Sequence, residues 1–320
     1  MKSFTIKKND ADQRLDKFIT KSVPLLPKTL MYKYIRIKRI KVNGKRAEIS
    51  TRLNIGDVVD MYINDEFFEK APEKYDFLKA STNLNIIYED ENIILCDKKV
   101  GILSHPDDNE YIDTLIGRIK RYLYEKGEYK PDDENSFVPS LVNRIDRNTG
   151  GIVIAAKNAE TLRVLNQKMK DRELHKFYLC IVHGEIKAKS GLLEGYLIKD
   201  ENKNKVTVSK KKSADAKEIR TKYSVIDTID DLSLVEVELL TGRTHQIRAH
   251  FASIAHPLLG DGKYGTNAQN KKYGYKKQFL YSYKLVFDFT TDAGILEYLN
   301  QKEFEVNDVW FKQEFYNKGL

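Results

Sequence analysis

The chain has 320 residues, 41% of them hydrophobic and 32% charged, with a formal net charge of +8. That is enough chain for two or three domains and a sizeable core, and the balance is that of a folded globular protein rather than a disordered one. No apolar run approaches the roughly 18 residues of a membrane span, and MKSFTIKKND has no apolar signal core, so a cytoplasmic protein without a membrane partner is expected.

The two cysteines, Cys96 and Cys180, lie inside the apolar segments IILCDK and FYLCIV and read as buried thiols of a reducing compartment. Cys-x-x-Cys, His-Glu-x-x-His, Walker-type GKS/GKT and G-x-G-x-x-G patterns are all missing from the sequence, so neither a metal nor a nucleotide cofactor is expected. The positive charge is concentrated. Residues 1–60 hold 15 Lys and Arg against 6 Asp and Glu, whereas residues 61–320 balance to within one charge. A small basic unit on a near-neutral body is the electrostatic pattern of a nucleic-acid-binding appendage.

In that appendage, DQRLDKFITKSV spaces Leu15, Phe18, Ile19 and Val23 as one helix face, with Asp12 placed to cap its start. PKTLMYKYIRIKRI predicts a second helix with Leu30, Tyr34 and Ile37 inward and Lys33, Arg36, Lys38 and Arg39 on other faces. IKVNGKRAEI predicts a hairpin turning at Asn43-Gly44, and GDVVDMYI a short closing strand. The segments RLDKF, KRIKVNGK and RLNIGDVV, in that order, resemble the S4 RNA-binding domain over residues 12–62. The resemblance implies RNA contacts through Arg36, Lys38, Arg39, Lys41 and Lys45.

Residues 63–83 read as a linker, and a second, larger body is expected over 84–320. Strands are predicted at Ile86–Tyr88, Ile93–Cys96, 151–156, 176–184 and 233–240, with a helix in AETLRVLNQKMKDREL. Strands with interspersed helices and no βαβ rhythm predict a mixed α+β sheet domain. No internal repeat is visible.

Three short segments carry polar residues that a core would not choose: NRIDRNTGG, LHKFYLCIVHG and LLTGRTHQIRAHFASIAHPLLGD. In NRIDRNTGG (143–151), Asp146 lies between Arg144 and Arg147, just before the apolar run IVIAA. In TGRTHQIRAH (241–250), Thr-Gly-Arg-Thr forms a turn at the start of a helix expected near Thr244, where free N–H groups and Arg243 suit a phosphate, or a carboxylate such as Asp146. His245 and Arg248 are expected to orient a substrate or cap backbone; the spacing of His245, His250 and His256 does not suit zinc. A carboxylate beside arginine favours its charged form and suits a nucleophile or electrostatic partner. Asp before Asn-Thr-Gly is equally a turn residue bonding its own backbone. On the residues alone, both readings stand.

Taken together, NRIDRNTGG, KFY (176–178), TGRTHQIRAH with HPLLGD (256–261), and DKKVG (97–101) resemble, in order, the motifs of the large-subunit ribosomal RNA pseudouridine synthases, the A family. With the S4 segment the resemblance runs from residue 12 to about 290. It implies a mainly antiparallel catalytic sheet with flanking helices, and an RNA uridine isomerase without cofactor that acts as a monomer on ribosomal RNA or on transfer RNA. It implies Asp146 as catalytic carboxylate, Arg144 filling the space of a flipped base, Tyr178 stacking on the uracil and assisting proton removal, and Arg243 pairing with Asp146. Asn143, Gly150 and Lys99 depart from the family's usual His, Ser and Pro. The rival readings are a non-catalytic RNA-binding or ribosome-assembly factor and a base-releasing hydrolase, which generally needs two facing carboxylates.

Overall fold

The computed structural model describes residues 1–69, 75–200, 205–266, 270 and 273–318. The N-terminal unit is built from β1 (Lys2–Thr5), α1 (Leu15–Ser22), α2 (Lys28–Arg36), β2 (Ile40–Val42), β3 (Lys45–Arg46) and β4 (Val58–Met61). Its sheet runs β1-β4-β2-β3, and Phe4, Phe18, Ile19, Met31, Ile40 and Val59 share one core beneath the two helices. Asn43 (φ 52°) and Gly44 (φ 70°) both take the left-handed backbone that a two-residue primed turn demands, so the Asn-Gly pair forms the predicted hairpin.

Two local expectations are corrected here. α1 starts at Leu15 with Arg14 as N-cap, not at an Asp12 cap. The N–H groups of Leu15 and Asp16 are instead taken by the carbonyls of Thr51 (2.8 Å) and Ile49 (3.3 Å), so no side-chain cap is required. In α2 the buried face is Met31, Tyr34 and Ile35; Ile37 lies beyond the helix end and is 48% exposed. Between the units, Asp65–Phe68 and Asp76–Lys79 form short 3-10 turns. Phe67 and Phe68 pack on the small core and Phe77 enters the large one.

The body comprises β5 (Ile86–Glu89), β6 (Ile93–Lys98), α3 (Leu115–Glu125), β7 (Ser140–Leu141), β8 (Gly150–Ala156), α4 (Ala159–Asp171) and β9 (Leu174–His183). It continues with β10 (Ser190–Asp200), β11 (Lys205–Ser209), β12 (Lys217–Ile229), β13 (Leu232–Leu239), α5 (Gln246–Ser253), β14 (Leu280–Phe287), β15 (Glu303–Glu305) and α6 (Trp310–Lys318). Among the described residues these strands make one eleven-stranded sheet, β11-β10-β12-β13-β9-β14-β8-β6-β5, with β7 on β8 and β15 on β14. All pairings are antiparallel except β14 with β8. The architecture is the expected mixed α+β sheet.

That parallel contact is short and lies at the sheet's centre. Tyr281 registers with Gly150 and Ser282 with Gly151, at the point where the NRIDRNTGG loop enters β8. β8 is covered on both faces: Val153 and Ala155 enter one core, Ile152 and Ile154 the other, which explains its unbroken apolar run. Gly151 has φ +112°, and a Cβ there would stand 2.1 Å from the carbonyl oxygen of Ser282. At Gly150 a Cβ would meet the Tyr281 ring at 2.5 Å. Gly151 therefore has no room for a side chain, and one at Gly150 would have to displace the Tyr281 ring. Cys96 and Cys180 are both buried in the core and unpaired with each other.

Candidate active site

Residues 142–149 cross from β7 to β8 and are tied down at several points. Asn143 Oδ1 accepts from the Ile154 N–H (2.8 Å), fastening the loop to the strand that follows it. The Ser104 hydroxyl donates to the Ile145 carbonyl (2.9 Å) and accepts from the Ile145 N–H (3.3 Å). Lys98, at the end of β6 and fully buried, donates from Nζ to the carbonyls of Ile102 (2.7 Å), Arg147 (3.2 Å) and Lys99 (3.3 Å). Burial lowers its pKa to about 7, against the opposing pull of the Asp146 and Asp97 charges.

Held this way, Asp146 uses its two polar groups differently. Its backbone carbonyl closes the turn by accepting from the Thr149 N–H at 3.0 Å. Its carboxylate points elsewhere: Oδ2 lies 2.9 Å from Arg248 Nη1 and 3.7 Å from His245 Nε2. A residue present only to make a turn would have spent its carboxylate on its own loop.

The cation opposite Asp146 is Arg248, not Arg243 as expected. α5 begins at Gln246, two residues later than expected, and this phase turns Arg248 into the interior while Arg243 stays exposed in the preceding turn. The N–H of Arg243 and the hydroxyl of Thr241 both donate to Gln246 Oε1 (3.1 and 2.9 Å), so the anion-binding function expected of this turn is partly occupied by the helix's own first side chain. Arg248 reaches Asp146 with one nitrogen and grips Asp261 with two others, at 2.7 and 2.9 Å. Burial opposes the Asp261 charge, but Arg248 and the N–H groups of Lys263 and Tyr264 outweigh it and its pKa falls. Tyr264 lies with its ring 5.2 Å from the Arg248 guanidinium and its hydroxyl 3.0 Å from His245 Nδ1. Desolvation lowers the His245 pKa, so its ring is neutral at pH 7.

Tyr178 on β9 registers with Ser282 on β14 and is 5% exposed. Burial pushes its hydroxyl up to about 12; Ser282 works against that shift, and the Asp146 charge adds to it. Arg144 is exposed, with Nη2 3.4 Å from Thr244 Oγ1, linking the mouth of the loop to the turn before α5. One polar network therefore joins three sequence segments: Asp146 after β7, Arg248 on α5, and Asp261 with Tyr264 beyond α5.

The RNA pseudouridylate synthase family model matches residues 92–253, more than half the chain, and the S4 domain model matches residues 13–59. An RNA pseudouridine synthase of Mycoplasma genitalium is 36% identical over 97% of both chains. The chain belongs to the RNA pseudouridine synthases. A ribosomal large subunit pseudouridine synthase D of Borreliella burgdorferi is 33% identical, covering 90% of this chain and 85% of that one. Human RNA pseudouridylate synthase domain containing 4 shares the fold, with a TM-score of 0.55 at 19% identity over 73% of this chain and 92% of that one. The protein is thus an RNA-modifying isomerase carrying an S4 domain, and its cationic N-terminal unit is the S4 part.

In the S4 domain of this pseudouridine synthase, Arg36, Lys38, Arg39 and Lys45 are exposed; Lys41 is half-buried, with Nζ 5.3 Å from the Tyr62 ring. Two further stretches, DENKNKVTVSKKKSADAK (200–217) and the Lys/Tyr-rich NKKYGYKKQ (270–278), suit RNA contact or a solvated loop by composition. In 200–217, residues 201–204 lie outside the described residues, and Lys210, Lys211 and Lys212 are exposed. In 270–278, residues 271–272 lie outside them, and Tyr273 and Tyr275 are half-buried, packed against the core around Phe279. Sequence reasoning did not single out Lys98, Ser104, Asp261 or Tyr264 for the site. Each lies in a motif it quoted or beside one, so proximity to DKKVG and HPLLGD was the available signal.

Proposed function

We propose that this enzyme converts a uridine of structured RNA, in large-subunit ribosomal RNA, to pseudouridine, with Asp146 as the reacting carboxylate. The observation that carries this is the Asp146 carboxylate, turned away from its own loop and held 2.9 Å from Arg248 on a backbone pinned by Lys98, Ser104 and Asn143. The target nucleotide is flipped from its helix, since a stacked base is out of reach. Arg144, exposed at the mouth, fills the vacated space. Asp146 acts on the ribose as nucleophile or base; the C1′–N1 bond breaks, the uracil turns, and a C1′–C5 bond forms. The C5 proton is lost and N1 takes one up, so the nucleotide keeps its atoms; Tyr178, whose hydroxyl stays protonated at pH 7, assists as a relay that accepts the C5 proton while passing its own to solvent.

Tyr178 is 5% exposed, so stacking on the uracil requires the site to open as RNA enters. Affinity comes mainly from phosphate contacts of the basic N-terminal unit, through Arg36, Lys38, Arg39, Lys41 and Lys45. The enzyme works in the cytoplasm as a monomer and consumes no cofactor, because bond breaking and bond making balance within one nucleotide.

Asp146→Asn tests the reading. Tritium release from C5-labelled uridine should be abolished while filter binding to the same RNA persists. Substantial turnover by a folded Asp146→Asn protein would sink the mechanism. Mapping pseudouridines in ribosomal and transfer RNA from cells with and without the gene reports the target. Unchanged maps would favour an assembly factor, and a lost transfer RNA site would redirect the substrate.

A further inference from the structure

The S4 domain is not tethered loosely to the catalytic body; a buried polar seam joins the two. Asp10 is fully buried at the junction. Its Oδ1 accepts from Ser136 Oγ (2.6 Å), and its Oδ2 from Asn135 Nδ2 (2.7 Å) and the Lys7 N–H (3.1 Å). Gln13 Nε2 donates to the same Ser136 hydroxyl at 2.9 Å. Asn9 spans two elements of the body: Nδ2 donates to Glu134 Oε1 (2.8 Å), and Oδ1 accepts from the N–H of Ala159, the first residue of α4 (3.2 Å). From α4, Arg163 returns a bond to the Ala11 carbonyl at 3.1 Å.

Directional hydrogen bonds to a buried carboxylate define one register and tolerate little sliding, unlike an apolar contact of the same size. The seam uses residues 7–13, whereas Arg36, Lys38, Arg39 and Lys45 stay exposed on the other part of the module. We infer that the seam holds this basic face at a set offset from Asp146, so that the enzyme measures the separation between a helix of its RNA and the target uridine. This rests on the function proposed above. Two sites on a rigid frame gain from each other only when one ligand spans them in the right geometry, and that gain is lost when the spacing is wrong. A flexible tether would accept many spacings.

The test uses the full chain and three RNAs: a large-subunit ribosomal RNA fragment containing the mapped uridine, the same fragment with base pairs inserted between its neighbouring helix and that uridine, and the minimal stem-loop. Ser136→Asp sets a second carboxylate against buried Asp10 and should open the seam. Asn135→Ala with Ser136→Ala does so more gently, from the body side, without touching the S4 core. For the wild type, the insertion should lower kcat/KM about tenfold or more. The opened variants should lose about the same on the unaltered fragment, become indifferent to the insertion, and keep wild-type activity on the stem-loop. Small-angle scattering should show Ser136→Asp more extended than the wild type. An unchanged scattering profile, or a wild type indifferent to the insertion, would overturn the inference. A wild type that makes no pseudouridine in any of the three RNAs would overturn the proposed function itself, and the inference with it.

Discussion

Arg248 and Asp146 meet at 2.9 Å across 102 residues of sequence, and the same guanidinium is gripped from behind by Asp261. Arg248 is therefore not a loose counter-ion. Two bonds to a fully buried carboxylate fix its plane, and the remaining nitrogen meets the Asp146 carboxylate at 2.9 Å.

The first prediction follows from that geometry. Arg248→Lys keeps the charge but cannot grip Asp261 with two nitrogens while reaching Asp146 with a third. Pseudouridine formation should fall by about a hundredfold or more, the scale of losing one preorganised electrostatic contact. Arg248→Ala leaves Asp261 buried without its partner and should also cost about 3–5 kcal/mol in chemical denaturation. Arg243→Ala should preserve the fold and retain most of the single-turnover rate. A collapse of that rate with Arg243→Ala, and not with Arg248→Lys, would restore Arg243 as the partner of Asp146.

Tyr178→Phe removes a hydroxyl that lies within the field of Asp146 and keeps the ring in its core position. RNA affinity by filter binding should be unchanged, and the single-turnover rate should fall severely. Near-normal turnover would show that the hydroxyl is dispensable.

Gly151→Ala should destabilise the protein by about 2 kcal/mol or more, because it combines φ +112° with a Cβ 2.1 Å from a carbonyl oxygen. Gly150→Ser should also destabilise, but through a different neighbour: the Tyr281 ring, which is anchored by its hydroxyl to Asp97 at 2.5 Å. Thermal melts of Gly150→Ser, Tyr281→Leu and the double variant form a cycle in which the serine should cost less once the ring is gone. Strictly additive effects would show that the ring is not what keeps position 150 empty.

Lys98 predicts an alkaline trend. Its folded-state pKa is lowered from 10.5 to about 7 by burial, so between these values the unfolded chain holds a proton that the folded chain has released. The penalty of burying the charged amine is fully present below pH 7 and is relieved as pH rises towards 10.5. Denaturation curves of the wild type against Lys98→Met should therefore show the lysine's contribution becoming more favourable from pH 7 to 10. A flat difference across that range would mean that Lys98 stays charged in the fold.

Much of this enzyme was legible in local sequence, because some signals need no distant partner. The charge excess of residues 1–60, the Asn43-Gly44 turn, and the apolar run of β8 are decided within a few residues of themselves, by charge, backbone freedom and burial on both faces. The position of Asp146 between arginines and a Thr-Gly-Gly turn was likewise visible, and so was the family resemblance its motif carries. The choice between Arg243 and Arg248 was not. They lie in one motif five residues apart, and only the phase of α5, set where Gln246 caps its own turn and the helix packs on β11 and β12, sends one inward and leaves the other in solvent. Strands β10, β12 and β14 were also not singled out, since a strand exists through its neighbours' hydrogen bonds and those neighbours are far away in sequence. The same holds for the seam at Asp10. Nothing around that aspartate announces burial, and only the approach of residues 134–136, more than a hundred positions later, takes it out of water and supplies its donors.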